Sequence, residues 1–322
     1  MTSRPLARFG LGPQISAMLI RAGVVVVLGL GIWAVSSGEG SPEPEPVVIL
    51  MQPEVSWSPT RPGEGSLFRI RVQASEHTPL IGAHGVVAGE ELHFERIDER
   101  VFESIAAVPV GAGAEIDAEM RFVYAEGPEG REELTIPVEA GSYPHEQLRV
   151  APRFGAPPSE EDQARLARDR DLAAAASAAA HRTPRLWTDE VILPRDSRVT
   201  SEFGGGRVFN GQVSSRHMGL DLRGAPGDTV LATARGVVAL VEPFLLAGNV
   251  VYLNHGAGLL SAYFHLSEQL VAPGDTVEAG DPVGRVGSTG RVTGPHLHWV
   301  VRYGRTSVDP RSLLELGSPP SP

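Results

Sequence analysis

The chain has 322 residues, 42% of them hydrophobic, which is enough for two domains with a buried core each. Its 28 Lys+Arg against 39 Asp+Glu give a net charge of -11, which argues against a nucleic-acid surface built on basic residues. Every cation is Arg and there is no Cys, which excludes lysine Schiff-base or lipoyl-lysine chemistry, thiol nucleophiles, cysteine–zinc sites and disulfides.

At the N-terminus, Arg4, Arg8 and Arg21 precede an uncharged apolar run from Ala22 to Val35. At about 1.5 Å per residue the run covers roughly 21 Å, short of the ~30 Å hydrocarbon core, as in a signal peptide with Ala34 and Ser36 as its cleavage site. The other reading extends the run back through Met18, Leu19 and Ile20, making residues 15–35 an uncleaved membrane anchor. Either way 1–38 is an export or anchoring segment, and the cell envelope is the expected location: periplasmic or extracytoplasmic, secreted or held in the inner membrane. Ser-Pro-Glu-Pro-Glu-Pro at 41–46 reads as extended linker, giving a linker over 39–46.

From 47 to 150 the signals are those of strands. Phe68, Ile70, Val72 and Ala74 alternate with Arg69, Arg71 and Gln73, Leu134, Ile136 and Val138 repeat the pattern, and Pro62-Gly63, Gly111-Ala-Gly113 and Gly127-Pro128 break the runs. A small β-sandwich is predicted, with one face of each sheet solvated. His77, His84 and His93 lack metal-ligand grouping and read as surface or turn residues. Ser159 followed by Glu160, Glu161 and Asp162 starts a helix, and the Ala-rich stretch over 159–181 predicts a connecting helix outside the core.

Beyond it, Ala-Pro-Gly-Asp-Thr-Val occurs at 225–230 and again at 272–277, which predicts two similar hairpin-like units. Frequent glycines between short runs such as Val250 to Leu253 and Leu259 to Phe264 suit an antiparallel β-sheet or barrel, so the fold class is mainly β. This last domain is placed at 195–312, followed by a flexible tail over 313–322.

Four histidines of the final third lie in three short segments: Arg216-His217-Met-Gly-Leu-Asp221, Tyr263-Phe264-His265 and Gly294-Pro-His296-Leu-His298-Trp299. Strand alternation puts Leu297, Trp299 and Val301 on one face, so His296 and His298 share the other, with Cα atoms ~6.6 Å apart. Extended backbone would hold His217 and Asp221 ~13 Å apart, too far for ligation through bonds of ~2 Å, so the chain must turn between them, and Gly219 is the residue that permits it. Two neutral imidazoles and a carboxylate make three protein ligands for zinc and leave a fourth position open, which is the arrangement of a catalytic site.

This order of motifs, His-x-x-x-Asp, a His after an aromatic strand, then Gly-Pro-His-Leu-His, resembles the lysostaphin/LytM-type zinc metallopeptidases. The likeness runs from about 198 to 311 and includes Ser201-Glu-Phe-Gly204, Gly248-Asn249, His255-Gly256 and Ser288-Thr-Gly-Arg-Val-Thr-Gly294. The resemblance implies Zn2+ held by His217, Asp221 and His298, with His265 and His296 acting on water and the developing oxyanion. It implies hydrolysis of peptide cross-links or stem peptides of peptidoglycan. His255 reads as structural, and Asn210, in the loop before His217, is a candidate substrate contact. The middle region also resembles the N-terminal β-sandwich of longer envelope members, which positions the catalytic domain or covers its groove until a regulatory envelope protein binds.

Some proteins of this fold are non-catalytic and activate cell-wall amidases. They usually lack the metal ligands, whereas all five site residues are present here. A biotinyl or lipoyl carrier would share Gly-Asp-x-Val-x-x-Gly at 274–280 but needs a lysine. A helical zincin is excluded because His145-Glu146 has no second His four residues on.

Overall fold

Phe68, Ile70 and Val72 are fully buried, as their alternation with charged neighbours demands, and they form the centre of a two-sheet sandwich. In the computed structural model, which describes residues 24–25, 50–155, 157–188, 190–211 and 213–317, one sheet runs Glu54–Ser58, Leu67–Gln73, Val101–Ala107, Glu95–Asp98. The other runs Gly130–Pro137, Glu115–Tyr124, Leu80–Val87, Glu90–Glu91, and both are antiparallel throughout. The expected export segment at 1–38 and linker at 39–46 lie outside the described residues, apart from Val24–Val25, which pairs with Leu50–Met51. Among the described residues no helix is long and apolar enough to cross a membrane.

The large sheet of the C-terminal region has its strands in the order Val199–Ser201, Leu220–Arg223, His296–Tyr303, Leu259–Leu266, Gly248–Gly256, Gly236–Phe244, Thr276–Val277. Its inner face carries Leu220, Leu222, Leu253, Tyr263, Trp299 and Val301, all fully buried. Leu67, Ile105 and Ala107 of the sandwich join that same core, so the outer face of the first sandwich sheet is packed and not simply solvated. The two sheet systems therefore share apolar burial, which resists separation more than a polar hinge would.

Four sequence expectations need correction. The helix Glu160–Arg182, capped by the Ser159 side chain accepting from Asp162 N at 3.1 Å, is more than a connector: Ala173, Ala176 and Ala180 pack on Val250, Tyr252, Leu260, Ala262 and Val300 of the opposite face of the large sheet. Its lack of bulky residues permits that close approach. Asp169 secures it by accepting from Leu245 N at 2.7 Å. His93 is half-buried and not simply solvated: it meets His181 of this helix, Nε2 to Nδ1 at 2.8 Å, and His181 Nε2 lies 3.3 Å from Glu90. The hexapeptide repeats are turns rather than hairpins. Each Asp accepts from the Ala amide three residues back (Asp228 from Ala225 at 2.7 Å, Asp275 from Ala272 at 2.8 Å), and the strands that follow pair with different partners. Finally, residues 313–317 are no tail. They belong to the helix Pro310–Gly317, whose Leu313 and Leu316 are buried, and Ser312 Oγ accepts from Leu67 N at 3.0 Å.

His255 is a structural histidine: fully buried, its Nδ1 donates to Arg235 O and its Nε2 contacts Ser261 Oγ, both at 2.8 Å. Burial pushes it down to about 4, against the hydrogen bond to Arg235 that favours its charged form. As pH falls through 6.5 the unfolded chain takes up a proton that the folded chain refuses until near 4, so this stability is present above 6.5 and lost between the two values, about 3 kcal/mol in all. Denaturant unfolding between pH 7.5 and 4 should show this slope reduced in His255→Gln; an unchanged slope would exclude His255 as its source.

Candidate metal centre

Leu220–Arg223 pairs antiparallel with His296–Tyr303 in a register that sets Asp221 directly opposite His298. Leu220, Leu222, Leu297 and Trp299 go to the core, and Asp221, His296 and His298 go to the other face. His217 directly follows the strand Val213–Arg216 and reaches the same point through the connection 217–219, which bends at Gly219. Gly219 is needed there, for a reason other than the torsional freedom expected of it, since its φ is not positive. A Cβ at this position would lie 2.5 Å from Trp299 O and 2.8 Å from His298 Cε1, so glycine is what lets the turn lie against the next strand.

Three donor atoms converge. His217 Nε2 lies 2.9 Å from Asp221 Oδ1, His298 Nδ1 lies 2.7 Å from the same oxygen, and the two nitrogens are 2.9 Å apart. His217 Nδ1 donates to Glu202 O at 2.6 Å, which leaves its Nε2 lone pair directed at the cluster. Two further imidazoles are arranged alike: His265 Nδ1 donates to Thr289 O and His296 Nδ1 to Gly294 O, both at 2.8 Å. The His265 and His296 rings are 5.0 Å apart, and His296 Nε2 is 3.5 Å from Asp221 Oδ1. His265 also has φ of 62°, a left-handed conformation that a non-glycine residue holds only when its surroundings enforce it.

Burial opposes ionisation of Asp221, but the His217 and His298 rings beside it outweigh burial and hold the carboxyl well below the usual carboxylate range. Burial lowers His298 to about 4, although Asp221 pulls the other way. Burial also lowers His265 well below 6.5, assisted by His298 and His296. Near neutral pH the group thus presents a carboxylate with neutral His298 and His265 imidazoles, the protonation state a metal needs in its ligands. Among the described residues, His217, Asp221 and His298 are the His/Cys/Asp/Glu group close enough to hold an ion. Their mixed nitrogen and oxygen set suits a divalent transition metal and leaves coordination positions open toward His265 and His296.

Asn210, the candidate substrate contact, has φ of 51° at the hairpin tip, and its side chain is engaged by residue 150: Oδ1 accepts from Val150 N at 3.0 Å and Nδ2 donates to Val150 O at 3.1 Å. This clamp follows from a pairing the sequence did not disclose. His145–Leu148, placed above in the sandwich, runs parallel to Gly206–Phe209 beside the site. Sequence reading also missed Arg207, whose Nη2 lies 2.5 Å from Asp221 Oδ2. Its one signal was alternation in that short strand, which is too weak to pick it from 28 arginines.

Replacing Gly219 with Ala should push the turn off Trp299 and separate His217 from His298, costing about 1–3 kcal/mol of stability. Metal bound per chain, by mass spectrometry, should fall with it. A variant of full stability and full metal content would show that the close approach is dispensable.

Residues 215–310 match Peptidase family M23. Over 118 residues, 36% of this chain and 27% of the relative, the sequence is 36% identical to peptidoglycan DD-endopeptidase ShyC of Vibrio cholerae. Over 122 residues, 38% of this chain and 30% of the relative, it is 34% identical to murein hydrolase activator NlpD of Salmonella dublin. The match spans less than a third of the length of these curated relatives. A Pseudomonas aeruginosa protein, whose crystal structure is described as a peptidase M23, shares the fold with a TM-score of 0.59 at 24% identity, over 79% of this chain and 95% of that one. That shared fold extends well beyond residues 215–310, the segment that forms the domain matching peptidase family M23.

Proposed function

We propose that the chain is a zinc-dependent endopeptidase that hydrolyses peptide bonds of bacterial peptidoglycan in the cell envelope. The observation that carries this reading is the convergence of His217, Asp221 and His298 beside two more imidazoles whose Nδ1 atoms are already spent on backbone carbonyls. Zinc, when bound, supplies polarisation of the scissile carbonyl and a water acidified toward neutral pH. His265 is placed to accept a proton because the bond to Thr289 O holds its own proton on Nδ1 and leaves the Nε2 lone pair available, while burial keeps the ring neutral. His296 lines the same open side, on the strand that carries His298, and is the second group for proton transfer or for the developing oxyanion. Peptidoglycan as substrate is supported by the relative named as a DD-endopeptidase, and the proposed envelope location goes with that substrate. The charged and apolar N-terminal run fits export or anchoring.

A second reading, activation of a cell-wall amidase together with an envelope partner, is favoured by the relative named as a murein hydrolase activator. An activator has no use for three converging ligands and two oriented imidazoles, which supports the enzyme. Digestion of purified peptidoglycan, with metal analysis alongside, separates the two. His298→Ala should lose both zinc and muropeptide release, whereas His296→Ala should keep zinc and lose about 10²–10⁴ in rate. No zinc and no release from the wild-type protein would sink the enzyme reading, and equal zinc loss in both variants would sink the assignment of roles within the pair.

A further inference from the structure

Asp221 uses its two oxygens differently. Oδ1 faces His217 and His298, while Oδ2 meets Arg207 Nη2 at 2.5 Å, and only 14% of the Arg207 side chain is exposed. The same Nη2 donates to Ser201 Oγ at 2.8 Å. Ser201 Oγ in turn lies 3.2 and 3.3 Å from the two oxygens of Glu146, and Glu146 Oε2 is 3.5 Å from Arg207 Nε. Glu146 sits on His145–Leu148, the strand between the sandwich and the helix that pairs with the strand of Arg207.

We infer that Arg207 is the positioning residue of the metal centre: by occupying Asp221 Oδ2 it makes Asp221 a one-oxygen ligand, with Glu146 and Ser201 holding the guanidinium in place. This rests on the zinc-site reading. A carboxylate free to offer both oxygens takes an extra coordination position, the one that water and substrate need. Partners of a ligating group typically govern metal affinity about 10–100-fold when removed. A guanidinium suits the task because it is always charged and its planar fork fixes direction, which an ammonium does not. Its positive charge alone would repel a cation, so a purely electrostatic role and a positioning role predict opposite changes in affinity on removal.

The test uses the full chain loaded with Zn2+ or Co2+, comparing wild type with Arg207→Ala, Arg207→Lys and Glu146→Gln. Chelator competition should show affinity about 10–100-fold weaker in Arg207→Ala, an intermediate loss in Arg207→Lys, and a smaller one in Glu146→Gln, whose carboxylate is 39% exposed. The visible absorption of the Co2+ form, strong for four-coordinate cobalt and weak at higher coordination, should drop in Arg207→Ala as Asp221 binds through both oxygens. If Arg207→Ala does not fold, the same loss of affinity and absorption in Arg207→Lys carries the inference. Unchanged or tighter metal binding with an unchanged spectrum overturns it. Failure of the wild-type protein to bind either metal overturns the zinc site itself, and this inference with it.

Discussion

The pairing of Asp221 with His298 across two neighbouring antiparallel strands is the constraint on which the centre depends. Directly opposed residues in such a ladder stand about 4.5–5.5 Å apart at Cα, so their side chains meet without further arrangement. Because alternation has a period of two, a slip of one residue would turn Trp299 or Leu297 to the site and send His298 into the core. The register is held from below. Leu220, Leu222, Leu297 and Trp299 are all fully buried, and any slip would expose them.

That same sheet divides its second face between two tasks. Toward one end, the alanines of Glu160–Arg182 cover Val250, Leu260, Ala262 and Val300, and toward the other, Phe264, His298 and Asp221 are left for the metal centre. The helix thus covers the apolar part of the face and leaves the polar residues of the site beside it. The segment before the helix returns to the same region, where His145–Leu148 adds a strand beside Gly206–Phe209 and Asn210 grips Val150. The connection between sandwich and helix is thereby part of the wall next to the centre and not a loose tether.

Placing several imidazoles and a carboxylate together out of water demands that each spare hydrogen-bonding atom find a partner. Here the partners are backbone carbonyls from two loops: Glu202 for His217, and, from the connection between Pro282–Arg285 and His296–Tyr303, Thr289 for His265 and Gly294 for His296. Main-chain acceptors on loops anchored by the sheet orient the rings and select their tautomers without adding charge. The left-handed backbone of His265 belongs to the same economy, since the strand end must bend for its ring to reach both Thr289 O and the centre.

What the sequence by itself determined was local and periodic. Strand alternation marked the sandwich core around Phe68, Ile70 and Val72, it put His296 and His298 on one face, and the four-residue spacing from His217 to Asp221 required a turn. Ser159 with its acidic successors marked the start of the helix. Tertiary structure alone decided the rest, because those contacts join residues far apart in the chain and leave no period to read. Arg207 became a partner of Asp221 through strand pairing, and the alanine helix became a core element only when the sheet it covers was in place. His93 was drawn from an expected turn into contact with His181, and Gly219 proved necessary for the closeness of Trp299 O, a neighbour that local sequence cannot foresee.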